Sequence, residues 1–456
     1  MASSSFRLLL TGAFWTVGAF AVGQALRLGQ SIILARFLTP DIFGLLTIVG
    51  SLNTGIQLMS DVGIGKSIVY HKEADDPEFY NTAWTMQVIR SVVLWIIALV
   101  IAIPISRFYG FPILIIIIPL TAFSFVLNGF SSISIHLLQK RLKFAELNIF
   151  STAISFIGVL SAVVLAYFTP TIWAPVFSGL VASAASMIGS YFLLGDVRQR
   201  FQISKQNALQ ISQFGRWIFV SSFVFFLSTN YDRLFLASAV PLQLLGVYGI
   251  ARNISELLSS LFQSLGNGVV FPFIAANSDL PRSDFRNRLA KVRGRFLLLA
   301  ALGVSALLTS ADLVIKLLYD PRYYAAAWML PVLMIGSWFS IMANVNEATL
   351  LGLGKASYTA VSNACKFVVL LIGLPLGIRL FGLVGGVFIV VFAELFRYFP
   401  MVYGLKRERF AFRRQDFLLT FAVLVFVLVF NWLRWVAGFG NSFETLPVAG
   451  LRSYFE

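Results

Sequence analysis

The chain has 456 residues, of which 58% are hydrophobic and only 12% are charged, and its mean hydropathy is +0.83. Soluble domains hold about 25% charged residues, so the composition excludes a water-soluble fold and predicts an integral membrane protein. The net charge of +15 would indicate nucleic-acid binding in a soluble chain, but these basic residues lie mostly in short loops between apolar segments, which excludes nucleic acid and leaves membrane lipid as the surroundings.

Thirteen segments are apolar enough to cross a bilayer, which takes about 20 residues of helix. Six of them precede residue 195: 13–35, 42–60, 83–105, 112–135, 147–168 and 172–194. Seven follow it: 215–237, 246–272, 296–315, 327–350, 358–378, 383–403 and 417–437. Because Asn431 and Arg434 interrupt the last segment, we expect an all-α polytopic membrane protein with about 12 transmembrane helices and a thirteenth that is a weaker span.

The distribution of basic residues predicts the orientation of the chain. With a cytoplasmic N-terminus, 22 of the 35 basic residues lie on the inner side, among them Arg141, Arg200, Arg288 and Arg407. Six lie on the outer side and seven within the membrane. Cytoplasmic loops carry an excess of Lys and Arg, so we predict a multi-pass inner-membrane protein with its N-terminus in the cytoplasm.

An internal repeat predicts two lobes. Leu34, Ala35 and Gly44 each have an identical residue 202 positions later, at 236, 237 and 246. In both copies a proline lies between the alanine and the glycine, at Pro40 and Pro241. Six helices per repeat let both halves enter the membrane from the same side, as in transporters that hold substrate between parallel repeats. The predicted domains are an N-terminal lobe at 1–194, a cytoplasmic inter-lobe loop at 195–214, a C-terminal lobe at 215–405, and a basic loop, extra helix and tail at 406–456, with a central cavity between the lobes.

Polar side chains recur on single faces of several predicted helices. On the eighth, Arg252, Glu256, Ser259 and Gln263 are spaced four, three and four apart, which places them on one stripe. Three other helices carry similar stripes: the first (Thr16, Gln24, Arg27, Ser31), the second (Asn53, Gln57, Ser60, Asp61) and the seventh (Ser221, Ser228, Asp232). A charge at the bilayer centre costs about 2.5–3.5 kcal/mol, so these residues are candidates for lining the cavity.

Other interpretations of these residues stay open. The polar groups could form interhelical hydrogen bonds, Arg252 and Glu256 could neutralise each other as an i,i+4 pair, and Asp232 could be interfacial. A second set lies nearer the cytoplasm and is either a gate of ion pairs or a group of snorkelling side chains: Arg90, Glu347, Lys366, Glu394 and Arg397.

The sequence contains no recognisable catalytic, cofactor or metal motif. The run from Gly65 to Ser67 resembles the end of a P-loop, but position 60 is Ser where that motif requires Gly. The single cysteine, Cys365, cannot form an intrachain disulfide or a cysteine metal site. We therefore expect neither an enzyme nor a cofactor or metal.

Four stretches resemble the polysaccharide transport family of the multidrug/oligosaccharidyl-lipid/polysaccharide flippase superfamily. They are ILARFLTPDIFG at residues 33–44, DVGIG at 61–65, LQKRLKF at 138–144, and 214–233, which begins FGRW and ends NYDR. The resemblance implies two six-helix lobes, alternating access, and export of a polyprenyl-diphosphate-linked oligosaccharide to the outer leaflet for polysaccharide synthesis. Polysaccharide polymerase and glycosyltransferases are the candidate protein partners.

This cargo gives the membrane-embedded residues candidate roles. Arg pairs with phosphate bidentately, so the diphosphate is expected to bind the cavity cations Arg27, Arg90, Arg252 and Lys366, with Arg27 and Arg252 nearer the outer side and the other two nearer the cytoplasm. Candidates for ion coupling or gating are Asp61, Asp232, Glu256, Glu347, Glu394 and Arg397. The alternatives are a flippase for a lipid-linked peptidoglycan precursor, a drug or cation exporter of the same superfamily, and a membrane-embedded polysaccharide polymerase or transferase.

Overall fold

The computed structural model describes residues 2–59, 64–71, 75–195, 197–266 and 282–442, and the regular structure within these ranges is entirely helical. The helices are α1 (Ala2–Phe37), α2 (Pro40–Met59), α3 (Ile64–Tyr70), α4 (Pro77–Tyr109), α5 (Leu114–Gly129), α6 (Ser134–Lys140) and α7 (Phe144–Phe168). They continue with α8 (Trp173–Ser190), α9 (Lys205–Ala239), α10 (Leu242–Leu265), α11 (Arg282–Leu318), α12 (Ala326–Gly352), α13 (Ser357–Arg407) and α14 (Arg413–Val436).

The prediction of an all-α polytopic membrane protein is confirmed. Eight of the described helices are long and apolar enough to cross a bilayer, and the bent pair of α5 and α6 adds a ninth. Large apolar side chains remain exposed along these helices, for example Phe421 and Leu428 of α14. Such a surface is stable only against lipid, because the bilayer core is as apolar as the side chains themselves.

Helix α13 contains two of the predicted spans, folded back on each other at Gly382. That residue has φ 59° and ψ −153°, a conformation that is essentially restricted to glycine. The two arms pack closely because small residues face each other: a Cβ on Gly373 would lie only 2.8 Å from Ile389, and a Cβ on Gly385 would overlap the carbonyl of Gly377. The two predicted segments 358–378 and 383–403 are thus an antiparallel helical hairpin.

The predicted segment 112–135 ends as a helix earlier than expected, at Gly129. The chain then turns by 59° into the short helix α6. The carbonyls released at this break accept hydrogen bonds from α4, since Trp84 Nε1 donates to the Ser131 oxygen at 3.2 Å and Gln87 Nε2 to the Gly129 oxygen at 3.0 Å. Side chains of α4 therefore replace the missing helical hydrogen bonds.

The chain divides into two compact units, Met1–Phe226 and Leu227–Glu456, with the boundary inside α9. In unit 1, α5 packs against α4 and α8, and α7 against α1 and α8. The extended segment before α9 lies along α4, where Asn81, Thr82 and Thr85 accept hydrogen bonds from the backbone amides of residues 200, 204 and 202 respectively. The four domain ranges drawn from the repeat remain predictions.

In unit 2, α12 is the central helix and packs against α10, α11 and α13. About 78% of the residues in its most apolar stretch are buried within the protein, a far larger share than in the other described spans. The predicted thirteenth span exists as α14, and it packs on α11. Arg434, which weakened this span in the sequence, forms a bidentate ion pair with Asp312 of α11, with Nη1–Oδ1 and Nη2–Oδ2 distances of 2.5 and 2.6 Å.

Candidate functional site

Unit 2 holds a cluster of eight charged side chains contributed by α9, α10, α12 and α13. We call it the unit 2 charge cluster: Asp232, Arg233, Arg252, Glu256, Glu347, Lys366, Glu394 and Arg397. The residues come from helical faces that are far apart in sequence, and packing of the four helices brings them within contact distance. Seven of the eight were named as site candidates from the sequence, and Arg233 is the addition.

Arg252 of α10 lies at one end of the cluster. Its Nε approaches Glu256 Oε1 at 3.1 Å and Asp232 Oδ2 at 3.2 Å, and Tyr248 donates a hydrogen bond from its hydroxyl to the same Asp232 oxygen at 2.6 Å. Glu256 also pairs with Arg233, at 2.5 Å. The i,i+4 pairing of Arg252 with Glu256 is therefore present, and Asp232, at 1% exposure, is buried within unit 2.

Glu394 of the α13 hairpin joins the two ends of the cluster. Its Oε1 lies 2.6 Å from Lys366 Nζ and 3.9 Å from Arg252 Nη2, and its Oε2 lies 3.9 Å from Arg397 Nη1. Arg397 in turn pairs with Glu347 of α12 at 2.8 Å. The hairpin thus brings Arg252 and Lys366, which the sequence assigned to different depths, to one carboxylate oxygen.

The unit 2 charge cluster is balanced, with four basic and four acidic side chains. Lys366 is 2% exposed and Glu394 4%, so both are withdrawn from solvent, and only their pairing offsets the cost of that desolvation. These buried positions rule out snorkelling for Lys366 and Arg397. An anion that enters this site has to compete with carboxylates that already hold the cations.

Residues predicted on unit 1 are placed differently. Arg90 of α4 donates from Nη2 to the backbone oxygen of Gln57 at 3.1 Å, so it belongs to the contact between α4 and α2 and not to the ion pairs of unit 2. Asn53 donates to Thr121 Oγ1 at 2.9 Å. Arg27 is exposed and Gln24 half-buried on α1, and no carboxylate contacts Arg27 among the side chains that the structure describes.

Of the other predicted lining residues, Gln57 is exposed on α2, whereas Ser259 is half-buried and Gln263 exposed on α10. The hydroxyl of Ser259 donates to the Ser255 oxygen at 3.4 Å, a bond within its own helix. Asp61 falls outside the described residues. The substrate and coupling roles assigned from the sequence to these residues remain predictions.

The basic loop after α6 holds a surface ion-pair group. Lys140 Nζ and Arg141 Nη2 lie 2.9 and 3.0 Å from the two carboxylate oxygens of Asp75. The hydrogen bond from Lys140 is the main cause that lowers the pKa of Asp75 below its usual value. Because that pKa is depressed, the stabilisation is present at neutral pH and is lost as the pH falls through it, but pairs this exposed contribute little.

Two buried ion pairs were not singled out from the sequence, and both join α14 to α11. Besides Asp312 with Arg434, Arg293 pairs with Asp416 at 2.5 Å and is itself fully buried. In the sequence, Arg293 is one of the 22 basic residues assigned to the inner side. No local pattern relates positions more than 120 residues apart, so only the helix packing reveals these pairs.

Comparison with known proteins gives a family and a fold. Residues 33–328 match the model of a family described as "Polysaccharide biosynthesis protein". The lipopolysaccharide biosynthesis protein WzxC of Escherichia coli is 27% identical over 271 residues, which is 59% of this chain and 55% of WzxC. The chain thus spans only about half the length of that relative. A putative O-antigen transporter of Shigella flexneri is 22% identical over 83% of this chain and 93% of its own.

Among solved structures, the lipid II flippase MurJ, in an inward closed conformation, is similar with a TM-score of 0.75 over 94% of both chains. Its sequence identity of 12% makes this a likeness of fold alone. The family match, by contrast, covers well over half of the sequence and includes the stretch at residues 33–44 that resembles the polysaccharide transport family. The chain belongs to the polysaccharide biosynthesis protein family, and its fold is similar to that of the lipid II flippase MurJ.

Proposed function

We propose that the protein moves a polyprenyl-diphosphate-linked oligosaccharide from the cytoplasmic to the outer leaflet of the inner membrane, for polysaccharide biosynthesis. The family match over residues 33–328 carries this proposal. The relative named as a putative O-antigen transporter supports it, since the alignment covers nearly all of that protein. The activity is transport and not catalysis, and glycosyltransferases and a polysaccharide polymerase would supply the cargo and consume it.

The chemistry of the cargo explains why charged residues are kept within the membrane. A diphosphate is a concentrated anion, and Arg holds it with parallel hydrogen bonds. Arg27 is exposed and Arg90 half-buried in unit 1, and neither belongs to the balanced cluster of unit 2, so we assign the first diphosphate contact to them. Arg252 and Lys366 would then bind the anion by exchange, releasing Glu256 and Glu394 as they do so. Alternating access between the two predicted lobes completes the proposal.

Export by variants of the unit 1 arginines tests this function. Deleting the gene should make the lipid-linked oligosaccharide accumulate in the inner leaflet, and the wild-type gene should restore polysaccharide export. Arg27→Ala and Arg90→Ala should each lower export about 10- to 150-fold, because a charge-assisted contact contributes about 1.5–3 kcal/mol. Arg379→Ala, which removes an exposed arginine from the predicted outer loop of α13, is the matched control and should export normally.

Protein abundance must be equal in all strains for this comparison. If the deletion strain builds polysaccharide normally and accumulates no lipid-linked oligosaccharide, the proposed function is wrong. If the deletion has its effect but both arginine variants export normally, the function stands and the assignment of the diphosphate contact fails.

The cytoplasmic N-terminus is part of the proposal and is tested by labelling single cysteines. In a Cys365→Ser background, Gln206→Cys at the start of α9 is expected inside and Thr171→Cys between α7 and α8 outside, and both positions are exposed. A membrane-impermeant maleimide applied to intact cells should label position 171 alone. Labelling of 206, with 171 reached only after permeabilisation, would reverse the orientation.

A further inference from the structure

Unit 1 contains a polar pocket of about 550 Å³ that no role proposed above explains as a whole. It lies between α2, α3, α4, α5, α6 and α8, at the point where α5 ends. Its lining combines four amide side chains, four serines, one histidine and one arginine, and no carboxylate is found among its described lining residues. Those central to the inference are Gln87, Arg90, Asn128, Ser131, His136 and Gln139.

Hydrogen bonds between helices hold the wall of this pocket in place. Gln87 Nε2 donates to three carbonyl oxygens in succession, of Asn128, Gly129 and Ser131, at 3.4, 3.0 and 3.4 Å. Together with Trp84, this amide links α4 to the break between α5 and α6. The neighbouring hydroxyl of Ser132 accepts a hydrogen bond from Gln199 Nε2 at 2.6 Å. Side chains held in this way present a preorganised surface to a ligand.

Two glycines allow neighbouring side chains to pack closely at the wall of the pocket. A Cβ on Gly65 would lie 2.7 Å from Cε1 of the His136 ring, so only glycine admits the ring at its present position. A Cβ on Gly129 would overlap the hydroxyl oxygen of Ser91. The close approach of the helices at these points shapes the cavity and sets the position of His136 on its wall.

One buried polar group in the wall lacks a partner. Ser131 is 5% exposed, and its hydroxyl makes no hydrogen bond with any side chain or backbone group that the structure describes. Its own backbone oxygen is satisfied by Trp84 and Gln87. A buried hydroxyl left unpaired is unfavourable, so an unpaired one on a pocket wall indicates a place where a ligand completes the hydrogen bonding.

We propose that this pocket binds the sugar ring of the cargo that lies next to the diphosphate; this rests on the proposed function. Sugar hydroxyls both donate and accept, as do the amides and serines of the lining. Phe125 and Leu94 supply an apolar surface for the C–H face of a ring. The volume falls within the range of about 300–1,000 Å³ of ligand pockets. Arg90 shares this wall, so a diphosphate held by Arg90 places the adjoining ring in the pocket.

Binding of two lipids by the purified full-length protein in nanodiscs tests the proposal. The probes are the polyprenyl-diphosphate-linked oligosaccharide extracted from the deletion strain and polyprenyl diphosphate without sugar. Ser131→Ala and Gln139→Leu should each weaken binding of the glycosylated lipid about 10-fold, the effect of one lost hydrogen bond. Neither variant should change binding of the bare diphosphate lipid. Ser178→Ala removes a buried serine of the same unit that bonds the Pro175 oxygen, and it should leave both affinities unchanged.

The melting temperature of the ligand-free protein separates a ligand contact from a structural one. Because the Ser131 hydroxyl is unpaired, Ser131→Ala should leave the ligand-free protein as stable as the wild type or more so, while it weakens sugar binding. A lower melting temperature with unchanged affinity would overturn the proposal, as would an equal loss of affinity for both lipids. Wild-type protein that binds neither lipid would refute the proposed function as well, whereas tight binding of the glycosylated lipid by every variant would refute the pocket alone.

Discussion

Replacing Glu394 by glutamine should destabilise unit 2 more than any other single change within its charge cluster. Glu394 is 4% exposed and is shared by Lys366, Arg252 and Arg397. Glutamine keeps the size of the side chain but removes its charge, which leaves a buried excess positive charge. Breaking a buried ion pair from one side costs about 3–5 kcal/mol, so we expect a large fall in melting temperature in mild detergent and in abundance in the membrane.

A second substitution distinguishes charge balance from loss of shape. Lys366→Met added to Glu394→Gln restores neutrality and fills the same volume with an apolar side chain, so it should recover much of the lost stability. Glu146→Gln is the control, because Glu146 pairs with Lys143 at 3.0 Å with both side chains about half exposed. That change should cost less than about 1 kcal/mol. If Glu394→Gln is as mild as the control, the cluster does not depend on its charge balance.

The balance of the cluster also constrains how the cargo meets it. A cation that already holds a carboxylate attracts an incoming diphosphate less than a free cation, because the anion must displace the carboxylate first. The same arrangement keeps cations in the membrane at low cost while no anion is bound. The sequence suggested this only in part: the spacing of Arg252 and Glu256 predicts a pair within one helix, but the link to Glu394, 142 residues away, depends on the α13 hairpin.

Composition and hydropathy were sufficient for the fold class and for most spans, because the bilayer restricts the chain to helices of a given length. They also separated the two arms of α13, since a glycine and a short polar interruption lie between them. The early end of α5 was missed because nothing near residue 129 is as disruptive as proline, and the break is held by Gln87 and Trp84 of another helix. The sequence did not predict the pocket of unit 1 either, because the pocket forms at this break between helices that are distant in sequence.

The thirteenth span, α14, is the clearest case in which contacts with a distant helix could not be predicted from the sequence. In isolation, Arg434 makes α14 a weaker membrane helix. Asp312 is a charged residue within another predicted span, 296–315. When α11 and α14 pack together, the charges of Asp312 and Arg434 neutralise each other. Arg293 and Asp416 form a second such pair near the other end of the two helices. The pairs are 19 residues apart on α11 and 18 on α14, so the two helices run parallel. Parallel spans require an odd number of crossings between them, and α12 with the two arms of α13 provides three.

Removing either partner of the pair between Asp312 and Arg434 should therefore unfold unit 2 under mild conditions. Both side chains are buried, and Arg434 also donates to the backbone oxygens of Thr309 and Phe439. Arg434→Ala leaves Asp312 charged and unpaired inside the membrane, at a cost of about 3–5 kcal/mol. A thermal melt of the purified variant, followed by loss of the monodisperse peak on size exclusion, measures the effect.

Two further variants decide whether the pair, and α14 with it, is a structural part of unit 2. Asp312→Arg combined with Arg434→Asp should recover part of the stability, because the charges again oppose each other across the same contact. Leu428→Ala on the lipid-facing side of α14, where the side chain is 67% exposed, should change the melting temperature little. Truncation before Arg413 removes the partners of both Asp312 and Arg293 and should prevent accumulation of folded protein. A truncated chain that still folds and exports polysaccharide would show that α14, which lies beyond the residues matched by the family, is dispensable.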